Sequence, residues 1–452
     1  MSERVLLVGG GGREHAIARA IANSGHDAAL YACASNRNPG IDGLAAGYET
    51  LDENDPDAVL DYAGSVDATL AIIGPESPLD AGVTDALDDA GIYTFSPRRA
   101  EAQLECDKAF QRAFMAEHGI PGTPDFAVFE DVEAACEYVE GYDGDVAVKP
   151  HGLTGGKGVR VTGDQLTKAE AVEYMRESDW NDWVIEERLV GEEFTIQAFV
   201  ADGDLRTTPA VQDHKRAYEG DEGPNTGGMG SYSDASLQLP FMDEDDYMDA
   251  VDVLRATVDA LDGYKGVLYG QFMLTETGPR VVEFNARFGD PEAMNTLPVL
   301  NTDFLDVLTA ARDDEPLPQL SFRPMATVCK YAVPDGYPTD PDAGAKVTID
   351  DDVIADVVRD HRDQSGDDAE TAPEALLYYA SVDDREDGIY TTTSRSYAVV
   401  GLADTIGDAE AIAEASLQRA GTEGLRVRHD IGKSDLVQQR IDHMNDIRGG
   451  AD

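Results

Sequence analysis

Lysine is scarce in this chain. Lys and Arg together number 35 among 452 residues, only nine of them Lys, against 89 Asp and Glu, so the formal charge is −54 at pH 7. No basic stripe is left to neutralise a nucleic-acid backbone, which argues against DNA and RNA as partners. Cysteine is scarce too: Cys33, Cys106, Cys136 and Cys329 are widely spaced and in no metal-binding pattern. They read as small buried hydrophobes in a reducing compartment. No apolar run approaches the roughly 18 residues that a membrane helix needs, and no charged-then-apolar leader opens the chain. A soluble, cytoplasmic protein with no membrane partner is expected.

What remains is a folded chain, because 42% of the residues are hydrophobic, too many for a disordered acidic polymer. The length suggests about three domains. Surplus carboxylates must then lie on the surface, where they repel unless salt shortens the Debye length to about 3 Å. A salt-adapted source is the expectation. In so lysine-poor a chain, Lys108, Lys149, Lys157 and Lys215 all fall in motif-like stretches, as suits compact ammonium groups that meet phosphate.

The most informative stretch is Arg280 to Glu292, R-V-V-E-F-N-A-R-F-G-D-P-E. Val281, Val282 and Phe284 alternate with polar residues without a helical period, so a buried strand is predicted. Residues two apart on a strand share a face, which puts Glu283 and Asn285 together. Gln271, in the apolar run G-V-L-Y-G-Q-F-M, would join them if the two runs pair. Hard oxygen donors of this kind suit Mg2+ or Mn2+. Arg287 stands just past them, and Gly289-Asp290-Pro291-Glu292 reads as a turn.

In chain order, Arg4 to Val8 reads as a strand, Gly9 to Gly12 as a tight turn, and Arg13 to Asn23 as a helix. Backbone N–H groups at such a turn cradle anions. The following strand, Ala28 to Ala32, ends without the acidic residue that would hold an adenosine ribose, so a dinucleotide site is not expected. His15, in the first helical turn, reads as structural. Strands at Ala68 to Ile73 and Ile92 to Phe95 continue a β–α alternation that predicts a parallel sheet. Gly74 to Leu79, G-P-E-S-P-L, is read as a loop at a strand's carboxyl end, with Glu76 available to sugar hydroxyls. A helix from Ala100 to His118 carries Lys108. Lys149 to Val161, K-P-H-G-L-T-G-G-K-G-V-R-V, reads as a strand–loop–strand flap closing over phosphates with Lys157. Val184 to Leu189 reads as a strand entering a hinge. Asp213-His214-Lys215-Arg216 follows, and then G-P-N-T-G-G-M-G, Gly223 to Gly230, too glycine-rich for a strand and read as a substrate-contacting loop. Helices are expected at Glu244 to Leu261, Phe304 to Ala311 and Asp408 to Ala420, and an acidic insertion at Arg359 to Pro373.

Six of these stretches, in this order, resemble the phosphoribosylamine–glycine ligase family, also called glycinamide ribonucleotide synthetases: G-G-R-E-H, G-P-E-S-P-L, the Lys149 flap, D-H-K-R, G-P-N-T-G-G-M-G and E-F-N-A-R-F-G-D-P-E. The resemblance implies an α/β and α+β multidomain fold. A Rossmann-like N-terminal domain (1–100) would precede an ATP-grasp domain (101–324, flap about 123–190). A small β-rich domain (325–433) and a helical tail (434–452) would follow. It implies the reaction of ATP, glycine and 5-phospho-β-D-ribosylamine to ADP, phosphate and glycinamide ribonucleotide, a step of purine synthesis. By matching position, Lys108 and Lys149 would contact ATP phosphates, and Lys157 would lie in the flap above them. Glu186 and Leu189 would hold adenine through backbone groups, and Glu193 the ribose. Gln271, Glu283 and Asn285 would hold the metal, and Arg287 the glycine carboxylate. Gly11, Gly12, Arg13 and Glu76 would meet the ribosylamine, and Asp213 the substrates. A monomer is favoured.

Three positions depart from the family's usual form. Lys149-Pro150-His151-Gly152 stands where K-x-D-G is usual, Gln271 stands where a Glu is usual, and Thr393 to Ser396 replaces a Gly-Gly pair. The competing readings are another ATP-grasp carboxylate–amine ligase and a non-catalytic nucleotide-binding regulator.

Overall fold

A computed structural model of the chain describes residues 2–152, 158–350, 354, 357 and 372–449. Its first unit is a parallel sheet in the order Gly47–Thr50, Ala28–Ala34, Glu3–Val8, Leu70–Ile73, Tyr93–Thr94. Period-2 alternation sends Val5 and Leu7 into one core and Leu6 and Val8 into another, so the central strand is covered on both faces, as parallel sheets are. The strand order turns back beside Glu3–Val8, and ligands of open α/β sheets bind at the carboxyl ends there. The Gly9 to Gly12 turn and the start of the helix Glu76–Ala81 both lie at this edge.

The antiparallel flap sheet runs Phe126–Phe129, Trp183–Glu187, Val146–Pro150, Arg160–Val161. Helices Val132–Gly141 and Lys168–Glu177 pack on it around Val148, Trp183 and Ile185. A second antiparallel sheet runs Asp204–Thr207, Glu192–Ala201, Gly266–Thr275, Gly278–Asn285, backed by the helix Glu244–Ala260. The last large sheet joins Ala326–Pro334, Tyr397–Ala403, Glu374–Tyr379 and Leu425–Val427 with two strands from much earlier, Gln212–Asp213 and Gly230–Ser233. One hydrophobic core is therefore shared by Phe194, Ile196, Tyr232, Val328 and Val399. Among the described residues no helix is long and apolar enough to cross a membrane.

Several expectations need correction. The single helix over 100–118 is two, Arg99–Cys106 and Lys108–His118, because Asp107 leaves helical geometry and its carboxylate accepts the Phe110 N–H at 2.8 Å, a side-chain cap that starts a new helix. Glu76 opens a short helix instead of sitting in a loop. Gly223-Pro224-Asn225 belongs to a strand, Glu222–Asn225, paired with Arg216–Tyr218. Glycine there serves close packing, since a Cβ on Gly223 would meet the Tyr218 ring. Lys157 and nearly all of the acidic insertion lie outside the described residues.

Candidate active site

The parallel-sheet edge, the flap and the second antiparallel sheet surround a cavity of about 510 Å3, within the range for small-molecule sites. At its floor Gln271 pairs directly opposite Glu283 across the two strands, with a bulge after Gln271. Asn285 lies two residues on, as the strand period requires. Lys215 Nζ stands among these donors, 2.5 Å from Gln271 Oε1 and 3.5 Å from Glu283 Oε1, while Gln271 Nε2 donates to Glu193 Oε2 at 2.6 Å. Burial alone would raise the Glu283 carboxyl, but the charges of Lys215, Lys149, Lys108 and Arg287 outweigh it and hold it at about 2. The oxygens of Gln271 and Glu283 already cradle a cation. They and Asn285 thus fit a divalent metal in donor type, although only one of the three is a carboxylate.

Toward the flap, Lys108 opens its helix and donates to the Gly152 carbonyl at 2.6 Å. Lys149 lies 2.8 Å from Glu186 and 3.2 Å from the Val282 carbonyl. Burial lowers both ammonium groups. The Glu186 carboxylate is fully engaged, by Lys149 and by Arg112 through two bonds of 2.8 and 2.9 Å, so only its backbone is available to a base. Leu189 follows the strand and lines the cavity with Glu193.

At the other end, Arg287 Nη2 lies 2.8 Å from Glu105 Oε1 and its Nε 3.7 Å from Glu76. Glu105, which sequence reading passed over, also accepts the Ala286 N–H at 2.7 Å, and burial pushes its carboxyl up to about 7 against the pull of Arg287. Arg13 pairs with Glu14 at 2.6 Å and with the Phe288 carbonyl. The anion cradle differs from expectation. Glu14 occupies the Gly11 N–H at 2.7 Å, and a Cβ on Gly12 would strike the Tyr331 hydroxyl. His15 is structural, as read: buried, pushed down to about 3 chiefly by that burial, it accepts the Tyr379 N–H at 2.9 Å.

Asp213 lies where the last two sheets meet. Its Oδ1 is buried with no hydrogen-bond partner among the described residues, and burial, aided by Glu292, raises its carboxyl well above the usual range. Gly228 packs against it at φ +107, where a Cβ would come within 2.7 Å of Oδ1. Arg395, in the segment that departs from the family form, reaches the Gly227, Gly228 and Asp290 carbonyls at 2.6, 3.1 and 2.9 Å. A lone arginine in a loop gives no sequence signal for this.

A lysine-lined cleft between the flap sheet and the second antiparallel sheet, flanked by a parallel-sheet domain, defines an ATP-grasp enzyme. Residues 3–105, 106–293 and 327–434 match the N domain, the ATP-grasp (A) domain and the C domain of phosphoribosylglycinamide synthetase. The chain is 49% identical over 455 residues to a phosphoribosylamine–glycine ligase of Methanosarcina barkeri, covering 99% of this chain and 100% of that one. It is 46% identical over 463 residues to the Methanopyrus kandleri protein of that name, covering 99% of each. The crystal structure of phosphoribosylamine–glycine ligase from Thermotoga maritima matches with a TM-score of 0.77 at 25% identity, over 94% of this chain and 99% of that one. This chain belongs to the phosphoribosylamine–glycine ligase family and is an ADP-forming ligase.

Proposed function

We propose that the cleft joins glycine to 5-phospho-β-D-ribosylamine in two steps. A glycine carboxylate oxygen attacks the γ-phosphorus of ATP, giving glycyl phosphate and ADP. The ribosylamine nitrogen then attacks the glycyl carbonyl carbon, loses a proton, and phosphate leaves, giving glycinamide ribonucleotide. Neither step needs an enzyme nucleophile. Positioning and charge stabilisation suffice.

Lys108, Lys149 and Lys157, the last outside the described residues, are assigned to the ATP phosphates, the Glu186 and Leu189 backbone to adenine, and Glu193 to the ribose. Gln271, Glu283 and Asn285 would hold Mg2+ or Mn2+, which supplies charge neutralisation on the phosphates when bound. Arg287, fixed between Glu105 and Glu76, is assigned to the glycine carboxylate, and Asp213, with its unpartnered oxygen, to the glycine ammonium. Arg13, Glu76, Gly11 and Gly12 face the ribosylamine, which must share the Gly11 N–H with Glu14. The direct opposition of Gln271 and Glu283 beneath Lys215 carries this reading. Phosphate release from ATP that requires both glycine and freshly generated phosphoribosylamine is expected. Release that persists when either is omitted overturns it.

The charge of −54 on a folded chain supports adaptation to high salt. Helical and sheet structure should be lost as KCl falls from about 1 M to about 0.1 M, where the Debye length lengthens roughly threefold. An unchanged circular dichroism spectrum over that range removes the proposal.

A further inference from the structure

The family's C domain ends at residue 434 of this chain, yet the helix Ser434–Gly449 follows it. Leu436 and Met444 are buried, Met444 within the core shared by the last two large sheets. The polar face of this helix meets the back of the cleft. Arg440 Nη2 pairs with Asp221, and its Nε lies 3.5 Å from Glu192 Oε2. His443 Nδ1 lies 2.6 Å from Glu192 Oε1. Glu192 immediately precedes Glu193, and Gln212 Nε2 ties the two together, donating to Glu192 Oε2 at 3.2 Å and to the Glu193 carbonyl at 3.1 Å. Asp221 sits at φ +56 in the hairpin that follows Lys215, where Arg428 Nη1 also reaches it at 2.8 Å. Glu193 and Lys215 are the two side chains that grip Gln271 from either side.

We infer that Arg440 is a positioning residue for the ATP end of the cleft: its guanidinium bridges Glu192 and Asp221, and so fixes the strand carrying Glu193 against the hairpin following Lys215. A planar fork can serve two carboxylates at once, which an ammonium does less well. Its loss leaves both without their shared cation, and a carboxylate as buried as Glu192 tolerates that poorly. The inference rests on assigning Glu193 to the ATP ribose and Gln271, which Lys215 and Glu193 grip, to the metal.

Arg448 is the internal control. It lies on the same helix and is ion-paired too, but to Asp246 at 2.5 Å, on the helix behind the sheet. Steady-state kinetics of the full chain should show the KM for ATP raised about tenfold in Arg440→Ala, with the KM for glycine little changed. Arg440→Lys should recover part of this, and Arg448→Ala should lower the melting temperature without moving the ATP KM. An unchanged ATP KM in Arg440→Ala, or equal shifts in Arg440→Ala and Arg448→Ala, overturns the inference. If Arg440→Ala does not fold, Glu192→Gln reads the same quantity, since it removes the charge while keeping an acceptor for Gln212: a raised ATP KM supports the role, an unchanged one overturns it. Glu193→Gln separates the two levels. An unchanged ATP KM there overturns the assignment of the cleft, whereas a raised value with none in Arg440→Ala overturns the role of the tail alone.

Discussion

The two ends of the cleft are built from different cations. At the end proposed for ATP three of the nine lysines converge, each held by only one or two protein groups: Lys108 by one carbonyl, Lys149 by a carbonyl and a shared carboxylate, Lys215 by an amide oxygen with Glu283 further off. At the end proposed for glycine and ribosylamine the cations are arginines, each already paired with protein groups: Arg13 with Glu14 and Phe288, Arg287 with Glu105 and Glu76, Arg395 with Asp290 and three carbonyls. A transferring phosphoryl group moves and redistributes its charge, which single-point ammonium groups can follow. A small carboxylate must be held in one orientation, which suits a planar donor fixed beforehand.

The strongest way to break this contrast is to put a lysine at the arginine end. Arg287→Lys keeps the charge but loses the fork, and it leaves buried Glu105 with a poorer partner. The kcat/KM for glycine should fall about 100-fold, the cost of misplacing a reacting group by about 1 Å. The ATP KM should stay close to that of the parent. A loss of less than about threefold would show that charge alone matters there and that the two ends do not differ in kind.

Asn285 stands at the boundary between the ends, its Oδ1 only 3.5 Å from Arg287 Nη2 and otherwise free to face a metal. Asn285→Ala should fold and should lose about 30-fold in turnover, within the range for disturbing a metal site. The Mg2+ concentration for half-maximal activity should rise with it. Near-normal activity at ordinary Mg2+ assigns Asn285 to the arginine end, where it merely steadies Arg287.

The lysine end was largely legible in the sequence and the arginine end was not. Glu283 and Asn285 stand on one strand, where a period of two and an apolar background set their direction, and Gln271 joins them because the two apolar runs pair. Arg287 was visible beside them. Its partner Glu105 was not, because it lies 182 positions earlier on a helix face that otherwise reads as ordinary amphipathic surface. Arg395 joins the loop at Gly227 from 168 positions away, and nothing local marks that choice. The break at Asp107 did carry a signal, an Asp three residues before the Phe110 N–H it caps, but the apolar period runs through it on both sides. The exchange of strands that puts Gln212–Asp213 into the C-terminal sheet is likewise a choice among partners. Short strands with similar patterns do not state it.

The smallest expected effect asks whether holding a lysine by so few groups is a property of the residue or of the site. Lys330, outside the cleft and fully buried, is held as tightly as any of the arginines: Glu410 at 2.6 Å, Glu414 at 2.9 Å and the His429 carbonyl at 3.0 Å. Burial would raise the Glu414 carboxyl, but hydrogen bonds from His429 and Lys330 outweigh it and hold it at about 2. A carboxylate depressed in the folded state stabilises the fold above its unfolded value, and that contribution is lost as pH falls through the folded value. Glu414→Gln should therefore cost about 1 kcal/mol at neutral pH, discounted for partial exposure. The difference from the parent should close between about pH 4.5 and about pH 2, with the KM values for ATP and glycine unmoved throughout. A raised ATP KM in Glu414→Gln would mean that the C-terminal cluster is coupled to the cleft, and the few partners of Lys108, Lys149 and Lys215 could then no longer be ascribed to their place in it.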